Sequence, residues 1–439
     1  MRTNETDHAM SHNPIACCRT FLISSLTAAV ALLAGAANAR AQSEVPGVAV
    51  ASPRDVVVLQ RLLTTAGAWK GDGKKNKLDR ESHRELGMIV DELRDAALRE
   101  QTASLLGELE RAALARARAQ RVIADVAVIK GITKTEPGGP RWLRELVGNE
   151  LMQVFEKLTL VDLYDRQNPH SPDFKRNDRI GDDWLPHLAG LTDLVKLDLA
   201  NTAVRGPGLL HVGALTSLES LNLTLCPVGD AALAQLRGLV NLNVVSLAST
   251  PVTGEGCRAF TGAKGLTNLN LHNTPVDDAG LQEISRLKSL VRLEIVHTRF
   301  TDDGAFFLSR LTNLERLQLG SRKATGKSIA HLKALPKLRE LDLHDVEGAT
   351  EALANAGKIP TLRVLRVYLG GVKDDGLAHI AKLSNLEELM LGGAQITDAG
   401  LAQLGSLKKL RKLSLGGTKV SDAAVATLTE SMPGLVVTR

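Results

Sequence analysis

At 439 residues the chain is too long for one ordinary core, so several domains or a repeat array are expected. Hydrophobic residues make up 44% and aromatics only 3%, a skew that suits identical slots filled repeatedly by one branched aliphatic. The formal charge of +5 is mild for this size and there is no long run of Lys or Arg, which argues against a nucleic-acid partner.

Phe21 to Ala37 is an uncharged, mostly apolar run with Arg19 just before it. Ala37-Asn38-Ala39 and Ala39-Arg40-Ala41 are small-x-small cleavage sites. This pattern predicts a signal peptide over 1–41, a mature start near Arg40 or Gln42, and export to the periplasm, the cell envelope or the exterior. The apolar run is short for a membrane span, which needs about 20 residues. Retention of the segment as an uncleaved anchor is the alternative, and the one route to a membrane contact. Cys17 and Cys18 precede the apolar run and would leave with it.

Residues 42–137 read as a linker followed by a helical region. Gln42 to Pro53 is rich in small residues, Val56 to Leu63 could form a short helix, and Gly71 to Asn76 reads as a turn. A calcium loop there is excluded, because Lys74 and Lys77 stand in the way and acids are missing at alternate positions. From Ser82 to Val128 the pattern is helical, with Leu86, Ile89 and Leu93 on one stripe and Leu105, Leu109 and Ala112 on another. Charges of both signs alternate along the outside, so a helical hairpin or a dimerising helix pair is expected.

Gly138-Gly139-Pro140 marks a boundary. Pro140 suits a helix first turn, and Trp142, Leu143, Leu146, Leu151, Val154 and Phe155 form an apolar face after it. Leu158 to Leu163 is strand-like, and a polar insertion lies between Tyr164 and Arg179. From Ile180 through Trp184, Leu185 and Leu188 the chain is already in repeat register. A solenoid end exposes an apolar cross-section that must be covered, so 138–190 is read as an N-terminal cap with a divergent first repeat.

Leu191 to Glu430 is ten units of 24 residues with no insertion, and the region 191–439 is read as a solenoid closed by a short C-terminal cap. One unit reads Leu383-x-x-Leu386-x-x-Leu389-x-Leu391-x-x-Ala394-x-Ile396-x-Asp398-x-Gly400-Leu401-x-x-Leu404. Its fourth position is leucine in all ten: Leu194, Leu218, Leu242, Leu266, Leu290, Leu314, Leu338, Leu362, Leu386 and Leu410. Leucines at alternate positions predict a half-buried strand in each unit, paired in parallel with its neighbours about 4.8 Å apart. After the strand comes Thr202, Cys226, Thr250, Thr274, Thr298 or Thr418, a set that predicts a ladder of buried hydroxyls bonding freed backbone groups. Arg322, Val346 and Gly370 break that ladder, so repeats six to eight should differ locally. Asp230, Asp278, Asp302, Asp374, Asp398 and Asp422 then open a short helix and are expected to cap it. Cys226 and Cys257 fill different slots of neighbouring repeats and read as small buried fillers, with a disulfide as the alternative.

This pattern resembles the leucine-rich repeat family. The short units are similar to the cysteine-containing repeats of F-box-type proteins and to repeats of exported bacterial proteins. The resemblance implies an α/β solenoid, a horseshoe with a parallel concave sheet and short convex helices, here preceded by a small helical region. The ladder is mostly threonine, no F-box-like segment is evident, and a signal peptide conflicts with a cytosolic adaptor role, so that role is not carried over.

Such scaffolds bind through concave-sheet residues that point away from the core. In repeats two and three those positions are small: Ser220, Asn222, Thr224, Val244, Ser246 and Ala248. In repeats four to eight they are Asn268, Asn270, His272, Asn273, Arg292, Glu294, His297, Arg316, Gln318, Glu340, Asp342, His344, Asp345, Arg366 and Tyr368. Repeats nine and ten return to Met390, Gly392, Gly393, Ser414, Gly416 and Gly417, apart from Glu388 and Lys412. The central stretch is therefore the expected contact surface for a protein or peptide ligand.

No cofactor, metal or catalytic group is expected. His272 and His297 sit on adjacent strands, but His344 is at least two strands away, roughly 10 Å by strand spacing. Asp342, His344 and Asp345 lack a partnered nucleophile. The second functional reading is a structural envelope component that associates through the helices of 82–128.

Overall fold

The computed structural model describes residues 58, 87–93, 96–128, 131–138, 157–164, 177–392 and 395–439. The signal segment, the linker, the turn at 71–76, the helix expected after Pro140 and residues 165–176 of the insertion lie outside the described residues. The chain divides into two compact units, Met1–Val161 and Asp162–Arg439.

In the first unit Ala96–Val128 is one continuous helix of 33 residues, α1, preceded by a short helical stretch at 87–91. Residues 82–86 of the region expected to be helical lie outside the described residues. Alanine, leucine, glutamate and arginine dominate α1, and Gly107 costs only about 1 kcal/mol relative to alanine, too little to stop such a run. Ile89, Val90, Leu93, Ala119, Val122 and Val126 are buried, and Arg99 donates from Nε to the Leu93 carbonyl at 2.9 Å, tying off the short stretch. Two strands follow, β1 (Ile132–Glu136) and β2 (Lys157–Asp162). β2 was legible in the sequence; β1 was missed, although Ile132, Thr133 and Thr135 are β-branched.

In the second unit the repeats supply parallel strands that pair in chain order. They are β3 (Lys196–Asp198), β4 (Ser220–Asn222), β5 (Val244–Ser246), β6 (Asn268–Asn270), β7 (Arg292–Thr298), β8 (Arg316–Ser321), β9 (Glu340–His344), β10 (Val364–Tyr368), β11 (Glu388–Leu391), β12 (Lys412–Ser414) and β13 (Val436–Thr438). Register advances by one repeat at every step, so Leu197, Leu221, Val245, Leu269, Leu293, Leu317, Leu341, Leu365, Leu389, Leu413 and Val437 stand in one row. The fourth-position leucines are buried throughout, Leu410 being the most accessible at 4%. Each such side chain stabilises the stack by about 1.5–3 kcal/mol through burial.

The hydroxyl ladder forms as the pattern implies. Thr202, Thr250 and Thr418 donate to the carbonyls of Leu199, Leu247 and Leu415 at 2.7, 2.6 and 2.9 Å, and Cys226 Sγ donates to Leu199 at 3.0 Å. Before the ladder residue the backbone is left-handed at Asn201, Leu225, Ser249, Asn273, His297 and Asp345. That turn takes the chain off the sheet and frees the carbonyl that the hydroxyl then satisfies. In repeat six Ser321 is not left-handed; β8 runs on, and Ser321 Oγ instead donates to the Phe300 carbonyl at 2.6 Å. Cys226 and Cys257 are both buried and neither forms a disulfide, and burial pushes the Cys257 thiol up, as the filler reading implies.

The helix-opening acids do something other than the expected capping. Asp278 accepts from the backbone N–H of Thr301 at 2.7 Å and from its hydroxyl at 2.8 Å, in the following repeat. Asp302 grips Thr325, Asp374 grips Thr397 and Asp398 grips Ser421 in the same way, while Asp230 holds both Thr253 and the Gly256 N–H. Asp182, in the divergent repeat, reaches the backbone of Arg205, Gly206 and Gly208. The glycines two residues after the acid make room for this clamp. A Cβ on Gly304 would lie 2.0 Å from Asp278 Oδ1, and one on Gly400 would lie 2.1 Å from Asp374 Oδ1. The Asp-x-Gly signature is thus a connection between repeats.

Candidate ligand-binding face

The outward positions of β6 to β10 carry the expected side chains, and they are organised into three groups. The first is ionic. Arg292 donates from Nε to Glu294 at 2.8 Å on its own strand, and Arg316 meets Glu340 at 3.2 Å across β8 and β9. Arg366 lies between two acids: Asp342 on β9 at 3.2 Å and Glu388 on β11, which accepts from Nε at 3.0 Å and from Nη2 at 2.7 Å. Asp342 is only 7% exposed, and burial pushes its carboxyl up against the pull of Arg366. Burial also opposes charge on Arg366, yet its bonds to Glu388 and the charge of Asp342 hold its pKa above the ordinary value. Glu388, with two donors from the guanidinium, is therefore the principal partner of Arg366.

The second group consists of flat rings at the carboxyl ends of the strands. His272 and His297 meet edge to face with centroids 5.0 Å apart. His344 stacks on Tyr368 at 4.4 Å and 17°. The Tyr368 hydroxyl reaches Met390 Sδ at 3.0 Å, and the residue is 42% exposed. His297 Nδ1 contacts Asp345 Oδ2 although repeat six lies between them. Gly320 explains the reach: it pairs with His344 and leaves the intervening outward position without a side chain. The buried Asp345 Oδ2 receives no aimed hydrogen bond in this contact. Burial lowers the imidazole pKa of both His272 and His344; neighbouring histidines lower them further, and Asp345 pulls both the other way.

The third group serves the backbone. Asn270 Oδ1 accepts the His272 N–H at 2.8 Å, and Asp198 and Asn222 play the same part in earlier repeats. Asn270 thus fixes the strand end that carries His272. Asn268 and Gln318 stand half-buried on the same face. The expected residues of repeats four to eight share this face, but the arginines are already engaged. Met390, which the sequence reading placed among the bland residues of repeat nine, and Glu388, which it set apart there, both contact the cluster. The link from His297 to Asp345 was missed; the small residue at Gly320 was its signal.

The family model described as Leucine Rich repeat matches residues 214–236 and 382–405, which fall within this stack. The chain is a leucine-rich repeat protein. An internalin from Listeria monocytogenes is 18% identical over 57% of this chain and 75% of its own, with a TM-score of 0.42. A second Listeria internalin, C2, is 20% identical over 48% and 80%, with a TM-score of 0.37. A leucine-rich repeat protein of Leptospira interrogans is 18% identical over 58% and 74%, with a TM-score of 0.33. No curated protein matches the chain. Among the described residues no group of three or more His, Cys, Asp or Glu is placed to hold a metal ion, and no helix is long and apolar enough to cross a membrane.

Proposed function

We propose that this is an exported, non-enzymatic scaffold that captures a protein or peptide ligand on the concave face of repeats four to eight. The observation that carries the reading is the contiguous patch of rings and paired charges between His272 and Met390, flanked by the small outward residues of repeats two, three and ten. Exposed tyrosine beside buried, oriented charges is the composition of an energetic centre in an interface. Export rests on the N-terminal apolar run and its small-residue cleavage sites.

The test must leave the internal ion pairs alone. Reversing Arg366 would bring three carboxylates together, so loss of binding there would confound unfolding with recognition. Asn268→Arg with Gln318→Arg instead adds bulk and charge to the face without removing a partner. Affinity capture with the mature chain is expected to lose its specific partner in this variant while the circular dichroism spectrum stays unchanged. Unchanged capture would overturn the proposal.

A further inference from the structure

The concave reading leaves open what kind of segment the face receives. The three arginines on it each meet a carboxylate, so none presents the uncommitted charge that a phosphate backbone needs. The remaining ionisable groups gather at the carboxyl ends of β6, β7 and β9, where His272, His297 and His344 surround one acid, Asp345. The charged neighbours of this cluster are few. Glu294, on β7, and Asp345 act on His272, while Asp345 and the other two imidazoles act on His344; Tyr368 from β10 covers one ring face of His344. Protonating His272 and His344 beside the one acid at their centre leaves a local excess of positive charge on a half-buried surface, where it is weakly screened.

We infer that the ring cluster is an acid-strengthened site for an acidic peptide segment of the partner. The inference rests on the concave-face reading and adds the chemistry and pH dependence of the segment. Burial holds His272 and His344 below the ordinary histidine range, so they gain charge on acidification, where glutamate side chains, with ordinary pKa near 4.3, still keep theirs. The segment's carboxylates then meet imidazolium N–H donors, and Tyr368 beside Met390 supplies apolar contact.

The test uses the full chain and a labelled decaglutamate peptide, with decalysine as control, in fluorescence anisotropy at about pH 5.5 and about pH 7.5, either side of the ordinary histidine range. Decaglutamate is expected to bind about tenfold or more tightly at the lower pH, the factor that one unit of coupled pKa shift represents. His272→Gln with His344→Asn should abolish that gain while leaving the fold intact by circular dichroism; should the pair unfold, His344→Asn alone should reduce it. Equal affinity at both pH values, no binding at the lower pH, or a pH gain that survives the folded variant would overturn the inference. A natural partner that is lost on Asn268→Arg with Gln318→Arg, yet captured equally at both pH values, would overturn it while leaving the concave reading standing.

Discussion

Repeats one to four and repeats five to eight use the same leucines to different ends. In the first set β3 to β6 are three residues long, the backbone turns left-handed directly past the outward residue, and a threonine or cysteine seals the corner. In the second set β7 to β10 run five to seven residues, the ladder gives way after Thr298 to Arg322, Val346 and Gly370, and the outward face fills with charges and rings. The core rows are continuous through both, because Leu269, Leu293 and Leu317 stay in register. A repeat can therefore change its surface and strand length freely as long as its inward leucines and its clamp to the next repeat persist.

The largest expected effect tests what the two sets share. Leu266→Ala and Leu314→Ala, one from each set, should each cost about 2–5 kcal/mol in urea denaturation, because both leave a cavity in a fully buried row. A much smaller loss in the second set would mean that the longer strands carry the stability there.

Next comes the clamp. Asp278→Ala removes the acceptor of two Thr301 donors and should cost about 1–3 kcal/mol. Gly304→Ala should also destabilise, by about 1–3 kcal/mol, since its Cβ would collide with Asp278 Oδ1. The double variant should cost less than the sum, because the collision disappears with the carboxylate. Strict additivity would break the account of the Asp-x-Gly signature.

The ladder should give a smaller effect. Thr274→Val removes a buried donor to the Leu271 carbonyl and should cost about 1–2 kcal/mol. Arg322→Thr should gain nothing, because Ser321 already bonds the Phe300 carbonyl beside it. A clear stabilisation by Arg322→Thr would show that the two sets differ by accident of sequence.

The smallest effect is on pH dependence. Burial lowers the pKa of His272 and His344 in the folded chain. The unfolded chain then takes up protons on them first, so stability should decline as pH falls below about 6.5 and level off once the folded groups protonate. His272→Gln with His344→Asn should flatten that decline in denaturation midpoints. An unchanged slope would remove burial of the rings from the account.

The leucine rows, the parallel pairing and the ladder were legible because each is a local pattern repeated at fixed spacing. The role of the acids was not, since the partner of Asp278 is Thr301, in the next unit, and capping within the helix has the same local signature. The outward residues could be assigned to the face from strand alternation alone. Their mutual engagement could not: Arg366 spans three strands, and His297 crosses a repeat to Asp345 only because Gly320 carries no side chain.

The most direct test places one photo-crosslinking residue at Gln318, in the centre of the ring- and charge-bearing face, or at Ser220, in the bland stretch of the same sheet. Exposed to extracts of the cells that make the protein, the chain should yield a discrete crosslinked partner from position 318 and none from position 220. Equal crosslinking from both, or a partner captured from position 220 alone, would contradict the assignment of binding to repeats four to eight.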